Sequence, residues 1–324
     1  MKYRPFGRTG WEISEIGFGA WQIGGGWGKV DDDASIGTLL YAFDRGVNFV
    51  DTAELYGAGH SETVIGRALR QWRGGKIYVT TKAQPIRWPD PNDDSPDMRG
   101  RFPKWYLSEC VEASLKRLGV DRIDLFQLHS WTPDGVRALD WLEALNDLRQ
   151  QGKIDKIGVS LRDMRPEEGV DLASFGLVQS IQVVFNLFEQ RPAQMLFPSG
   201  ARSGTAFIVR VPLDSGALGG SWTKDTYAAW EPNSQPHRMF RGERFAETLA
   251  RVAELKNLCA PYFPTLGEAA MRYALSPPEV STVIPGMTTR AEVDMNIALS
   301  DGKAFPAALL SALPPHGWIR NYYQ

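Results

Sequence analysis

Four residues in the first half of the chain carry groups that can hold, donate or accept a proton: Asp51, Tyr56, Lys82 and His129. An acid ends the apolar run Phe49-Val50-Asp51, and Tyr56 follows on the adjoining stretch Thr52-Ala53-Glu54-Leu55-Tyr56-Gly57. Lys82 ends Val79-Thr80-Thr81-Lys82, and His129 ends Phe126-Gln127-Leu128-His129. Taken singly, each has a commonplace explanation: tyrosines pack, lysines are solvated, a histidine can be a satisfied core residue. Together they are hard to explain as packing, because in an α/β barrel the ends of successive strands share one rim. A carboxylate, a phenol, an ammonium and an imidazole in one small volume are the components of a proton-transfer site.

That rim has to be built by the rest of the chain. Short, apolar, partly β-branched runs recur at Glu15–Phe18, Val47–Val50, Ile77–Thr80, Ile123–Leu128, Ile157–Val159, Ile181–Val184, Ala206–Val209 and Val280–Ile284. Such runs suit buried parallel strands. Helical periods lie between them. Ile36, Leu39, Leu40 and Phe43 share a face before Gly46, and Trp141, Leu145 and Leu148 do so before Gly152. Phe245, Leu249, Val252 and Ala253 form a third face, and Leu266, Ala269, Ala270, Tyr273 and Ala274 a fourth before Pro277-Pro278. Alternation of this kind predicts parallel β-structure with crossover helices. Eight units in about 300 residues predict a (β/α)8 TIM barrel, read here as one domain over residues 1–324. Arg4–Phe6 and Trp11–Ile13, joined by Gly7-Arg8-Thr9-Gly10, predict a hairpin ahead of the first strand. Two stretches, Pro85–Pro103 and Asp214–Gly242, are too long for tight connections. Both follow strands, so both belong at the mouth as binding loops or lids; the second is polar and shows no helical period.

Composition narrows the function. The chain has 324 residues, 43% hydrophobic and 23% charged, an ordinary globular profile. Thirty-six basic residues against 38 acidic ones give a net charge of −2, so nothing advertises nucleic acid or an anionic membrane. Cys110 and Cys259, the only two cysteines, make neither a disulfide framework nor a zinc cluster, which suits a reducing, cytoplasmic setting. The start, Met1-Lys2-Tyr3-Arg4-Pro5-Phe6, has no apolar h-region, and no run is long enough to span a membrane. Nucleotide motifs fail as well. Gly17-Phe18-Gly19-Ala20-Trp21-Gln22 lacks the third glycine of a dinucleotide fingerprint, and Gly28-Lys29-Val30 lacks the hydroxyl residue and upstream glycine of a phosphate loop. The four histidines, 60, 129, 237 and 316, have no paired spacing, so no metal is expected.

Longer runs carry a resemblance. Gly46-Val47-Asn48-Phe49-Val50-Asp51-Thr52-Ala53-Glu54-Leu55-Tyr56-Gly57, then Gly59-His60-Ser61-Glu62, then Leu118-Gly119-Val120-Asp121-Arg122-Ile123-Asp124-Leu125 resemble the aldo-keto reductase family. So do Val211-Pro212-Leu213-Asp214-Ser215-Gly216 and Ile284-Pro285-Gly286 with Asn296, and the likeness runs from Arg8 to about Leu299. The resemblance implies a barrel that binds a nicotinamide dinucleotide without a Rossmann fold and reduces carbonyls. Tyr56 would then be the general acid. A free tyrosine, with a pKa near ~10, is a poor acid at neutral pH, and Lys82 would lower that value, with Asp51 holding Lys82 in place. His129 would donate to the carbonyl oxygen.

For the cofactor, the resemblance points to Ser160 and Gln182 on the nicotinamide carboxamide, with Gly19, Ala20 and Trp21 approaching from the other side and Asp51 among the cofactor contacts. The family usually has asparagine after that serine; here Leu161 follows. Arg210 stands where many relatives stack an aromatic ring, a place a guanidinium plane can also fill. Val211, Leu213, Ser215 and Gly216, and then Ile284 and Gly286, would line the path of the dinucleotide. Asn296 matches the adenine contact. Relatives often grip a 2′-phosphate with a basic residue soon after Ile-Pro-Gly, where this chain has Thr288, and Arg290 two residues on. The expectation is NADPH, with NADH possible, and Arg290 either reads the phosphate or caps the following helix. Tryptophans 21, 27, 88, 131 and 222 are candidate walls of the substrate pocket beside Tyr56 and His129, with Trp318, Tyr322 and Tyr323 as a tail over the mouth. The partner implied is a small carbonyl or alcohol, with the chain a monomer or homo-oligomer. The alternative is a nicotinamide-binding regulatory subunit on the same fold, without significant turnover. A barrel lyase or isomerase would need carboxylate–metal ligands or a phosphate grip, which the sequence does not offer.

Overall fold

The run Ile123–His129 is buried at every position but the last, as expected of a strand covered on both faces. The computed structural model, which describes residues 1–28, 30–94 and 96–320, repeats that pattern around a barrel. After a hairpin of β1 (Tyr3–Pro5) and β2 (Glu12–Ser14), eight parallel strands follow. They are β3 (Phe18–Gly19), β4 (Phe49–Asp51), β5 (Tyr78–Ala83) and β6 (Ile123–His129), then β7 (Ile154–Ser160), β8 (Ser180–Val184), β9 (Ala206–Arg210) and β10 (Val280–Val283). Each pairs with the next in chain order, and bridges Ile16↔Val283 and Gly19↔Gly286 join the last strand to the first. The first strand is shorter than its sequence run: Ile16 contributes only a bridge, and Phe18–Gly19 alone form the ladder.

The four helical periods become helices Asp32–Asp44, Asp140–Gln150, Glu243–Cys259 and Leu266–Leu275. The helices His60–Gln71 and Lys104–Leu118, which the periods above did not single out, follow β4 and β5 in the chain, and the second packs on β5. The hairpin lies over the N-terminal ends of the strands. Phe6, Trp11 and Ile13 pack with Phe49, Leu125, Ala206 and Ile208 in a small core of their own, and Trp11 stacks on Tyr78 at 4.6 Å.

Both long connections border the opposite end. The stretch 85–103 is tied down by Arg162, whose guanidinium donates to the carbonyls of Asp90 and Asp93 at 3.0 Å each, and by the Arg165–Asp94 ion pair at 2.7 Å. The stretch 214–242 departs from the expectation of a polar loop without helix. It contains short helical turns at Asp214–Gly219, Thr226–Ala229 and Gln235–Met239. It also has an aromatic core, in which Trp222 meets Trp230 at 5.0 Å and Phe240 at 4.8 Å. Aromatic side chains spaced too irregularly to show a period still bury area against each other.

Tyr56 is seated by a close approach of two backbones. A Cβ on Gly24 would lie 2.7 Å from the Tyr56 carbonyl carbon and 2.8 Å from the Gly57 nitrogen. Gly24→Ala is therefore expected to push the Tyr56 loop outward and to lower the unfolding free energy by about 1–3 kcal/mol, as overpacking does. Denaturant unfolding at equilibrium checks this, and an unchanged midpoint would mean the loop yields at no cost.

Candidate active site

Register decides which side chains meet. Gly19 pairs with Asp51, Asp51 with Thr80, and Lys82 with Gln127. Farther round, His129 pairs with Ser160 and Ser160 with Gln182. The strand ends of β3 to β8 thus bring Asp51, Lys82, His129, Ser160 and Gln182 to one rim, and the loop after β4 adds Tyr56.

Asp51 is the hub. Its Oδ2 accepts from Lys82 Nζ at 2.7 Å, and its Oδ1 from Gln182 Nε2 at 2.8 Å. Lys82 Nζ, wholly buried, also donates to the Thr52 carbonyl at 2.7 Å. Burial pulls the ammonium's pKa down while Asp51 pushes it back up, and the net direction is downward. The Lys82 nitrogen lies 5.2 Å from the centre of the Tyr56 ring, which meets the His129 ring edge-on at 5.8 Å.

The electrostatics of Tyr56 overturn one expectation. Its pKa lies above that of a free tyrosine rather than below it. Burial is the largest cause and the Asp51 carboxylate the second; Arg210 opposes them. Lys82 does not prevail because its charge is compensated at 2.7 Å by Asp51. Tyr56 is consequently a neutral phenol with its proton in place. His129 is neutral as well: burial first, then the positive charges of Lys82 and Arg210, hold its pKa well below the usual 6.5.

A cavity of about 1540 Å³ opens above these groups, larger than the usual small-molecule pocket. Trp21, Trp27, Tyr56, Trp88 and His129 border one part of it. Gly19, Ala20, Asp51, Arg210, Val211, Leu213, Ser215, Gly216, Ile284 and Gly286 border the remainder. Two of the expected tryptophans do not reach it. Trp131 is fully buried in the core, donating to the Glu168 carbonyl at 3.0 Å and packed edge-on against Trp141 at 5.3 Å. Trp222 is consumed by the aromatic cluster of the segment after β9. In the tail, Trp318 packs on Phe188 at 5.3 Å, and the next two residues, Ile319 and Arg320, border the cavity instead. Tyr322 and Tyr323 lie outside the described residues.

Several features fit a nicotinamide dinucleotide. Ser160 Oγ and Gln182 Oε1 are buried and have no hydrogen-bond partner within the protein. A hydroxyl and a carbonyl oxygen side by side suit a carboxamide, which needs one donor and one acceptor. Arg210 is held at the β7 end by the Leu161 carbonyl at 3.0 Å and by an ion pair with Asp163. After β9 the backbone turns through positive φ at Val211 (55°), Asp214 (49°), Ser215 (56°) and Gly216 (101°). A β-branched valine there is a true outlier, and such turns form concavities that bind anions. Asn296 is buried on the helix Arg290–Ile297, off the cavity wall. Thr288 and Arg290 are exposed and do not border the cavity either.

Sequence reading missed three contributors. Gln127 Nε2 donates to Thr80 Oγ1 at 2.8 Å and approaches Asp51 at 3.5 Å. Glu62 is buried beneath the site, accepting from Thr81 Oγ1 and Arg117 Nε at 2.5 Å each. Glu292 borders the cavity, and its signal was present as the capping pattern Thr289-Arg290-Ala291-Glu292. Among the described residues no group of three or more His, Cys, Asp or Glu is arranged to hold a metal ion, and no helix is long and apolar enough to cross a membrane.

Known proteins resemble this chain in sequence and fold. The sequence model described as the aldo/keto reductase family matches residues 15–308. The aldo-keto reductase YhdN of Bacillus subtilis is 31% identical over 289 residues, 88% of this chain and 85% of that protein. A protein of Escherichia coli named NADH-specific methylglyoxal reductase is 29% identical over 94% of this chain and 96% of its own length. The holo form of aldo-keto reductase AKR11C1 from Bacillus halodurans superposes with a TM-score of 0.75 at 26% identity, covering 100% of this chain and 99% of that one.

The state of His129 sets a pH dependence of stability. Its folded pKa is depressed, so below 6.5 the unfolded chain binds a proton that the folded chain refuses. The contribution is fully present above 6.5 and is lost as pH falls below it. Melting curves taken from about pH 8 to about pH 5 should show a decline that is shallower in His129→Gln. Parallel curves for the two proteins would mean that His129 titrates normally.

Proposed function

The chain belongs to the aldo/keto reductase family and is an NAD(P)-dependent oxidoreductase, and on that premise we propose that it reduces aldehydes or ketones with Tyr56 as the proton donor. The observation that carries the reading is the pairing of a neutral Tyr56 with a neutral His129 at the mouth of the cavity, 5.8 Å between ring centres. Both groups can donate a hydrogen bond to one carbonyl oxygen, and Tyr56 keeps the proton that the reduction needs.

A nicotinamide dinucleotide, when bound, supplies the hydride. The chain's own residues handle the oxygen. His129 orients the carbonyl by donating to it, and Tyr56 gives up its proton as negative charge develops there. Lys82, 5.2 Å from the ring centre, stabilises the negative charge of the phenolate so formed. Asp51 keeps Lys82 protonated and placed. Ser160 and Gln182 would hold the carboxamide, Arg210 would cover the ring, and the turn from Val211 to Gly216 would receive the pyrophosphate. The tryptophans at 21, 27 and 88 wall the entrance with apolar surface and favour small aldehydes or ketones with an apolar or flat body. A relative named for methylglyoxal makes a dicarbonyl aldehyde a suitable first substrate. NADPH as the preferred form rests on the family resemblance, on Arg290 and on the hydroxyls of Thr288 and Thr289; Arg290 lies over Tyr41 at 5.2 Å, off the cavity. The same relative's name specifies NADH.

Tyr56→Phe is expected to lower turnover by about 10²–10⁴-fold while leaving cofactor affinity nearly unchanged, because it removes the proton and keeps the ring. Lys82→Met should lose activity comparably, and Asp51→Asn less. Single-turnover absorbance of the reduced nicotinamide measures the step. More than a tenth of wild-type rate in Tyr56→Phe would remove Tyr56 from the role.

A further inference from the structure

The helix Arg290–Ile297 begins where three donors converge on one acceptor. Glu292 Oε2 accepts from Thr288 N at 2.6 Å, from Thr288 Oγ1 at 2.8 Å and from Thr289 N at 3.1 Å. In return, Thr289 Oγ1 accepts from Glu292 N at 3.2 Å, closing a capping box. Backbone amides at a helix start, with a hydroxyl beside them, are what a phosphate would otherwise use. Here the chain's own carboxylate fills them.

Glu292 is also the one residue of that helix, among those described, that borders the cavity. It lies one turn before Asn296, the expected adenine contact, on the same face. Arg290 is turned the other way. Its guanidinium lies over Tyr41, whose hydroxyl is anchored on Asp294 at 2.9 Å. The arginines on the cavity wall belong to other segments: Arg210 ends β9, Arg238 and Arg241 follow it, Arg162, Arg165 and Arg191 lie near the ends of β7 and β8, and Arg320 is in the tail.

We propose that Glu292 makes this chain select NADH over NADPH. The proposal rests on reading the cavity as a dinucleotide site. A phosphomonoester carries between one and two negative charges at neutral pH and would meet a carboxylate that already holds the local donors. Like charges so placed repel, and displacing Glu292 would uncap the helix. A free ribose hydroxyl meets no such conflict. It can donate to Glu292 Oε1, just as an acidic residue selects the unphosphorylated ribose in other dinucleotide sites.

Equilibrium titration of intrinsic tryptophan fluorescence with NADH and with NADPH reads the affinities without turnover. Wild type should bind NADH at least about tenfold more tightly than NADPH. Glu292→Gln keeps a capping side chain but removes the charge, and should bring the two affinities within about threefold, chiefly by strengthening NADPH. Arg290→Ala should leave the ratio within about twofold of wild type. Equal or tighter binding of NADPH by wild type would overturn the proposal, as would an unchanged ratio in Glu292→Gln or a large change in Arg290→Ala. Binding of neither nucleotide would instead overturn the reading of the cavity itself, and the selectivity with it.

Discussion

A wholly buried ammonium is the constraint around which this barrel is organised. Lys82 has no exposed side-chain surface, and an unpaired charge in that position would be prohibitively costly. Asp51 and the Thr52 carbonyl compensate it at 2.7 Å each. Asp51 in turn needs partners for its second oxygen and finds Gln182 and, at longer range, Gln127. One ion pair thereby fixes the relative register of β4, β5, β6 and β8 at their C-terminal ends. Removing either charge would strand the other, a loss of about 3–5 kcal/mol in comparable buried pairs. The rim on which the chemistry depends is held by the same contacts that hold the chemical groups.

Charge compensation within that pair also explains the state of its neighbours. Tyr56 sees Lys82 and Asp51 together, and so burial decides: the phenol keeps its proton. His129 is held neutral by burial first, with the positive charges of Lys82 and then Arg210 adding to it. The site holds its charge in one buried pair and presents uncharged donors to whatever enters. Such preorganised donors in a partly water-excluded pocket act on developing charge without having to reorient.

Much of this was legible in the sequence because barrels advertise themselves twice. The apolar runs located all eight strands, and the residues ending those runs located Asp51, Lys82 and His129. What stayed hidden depends on facts that periodicity does not encode. Trp131 and Trp222 look like pocket walls by type, yet whether an indole faces a core or a cavity is settled by neighbours distant in sequence, Trp141 and Glu168 in one case and Trp230 and Phe240 in the other. The helical turns after β9 are four to six residues each, too short to show a period. The pKa of Tyr56 was misjudged because a cation's effect was reckoned without its counter-ion. Glu292 was readable as a capping residue, but its position on the cavity wall was not.

The hairpin at the start of the chain has a consequence for traffic. Phe6, Trp11 and Ile13 stopper the barrel at the ends of the strands remote from Tyr56, which makes the barrel a cup with a single opening. Asp51 borders the cavity deep inside, buried, whereas Trp88 borders it half-exposed at the lip. Molecules that share a vessel with one opening must queue. A ligand seated deep in such a vessel lies behind any ligand held under the tryptophans, and the two share the same way in and out. The traffic of ligands at the mouth is in this way bounded by packing at the far end of the barrel.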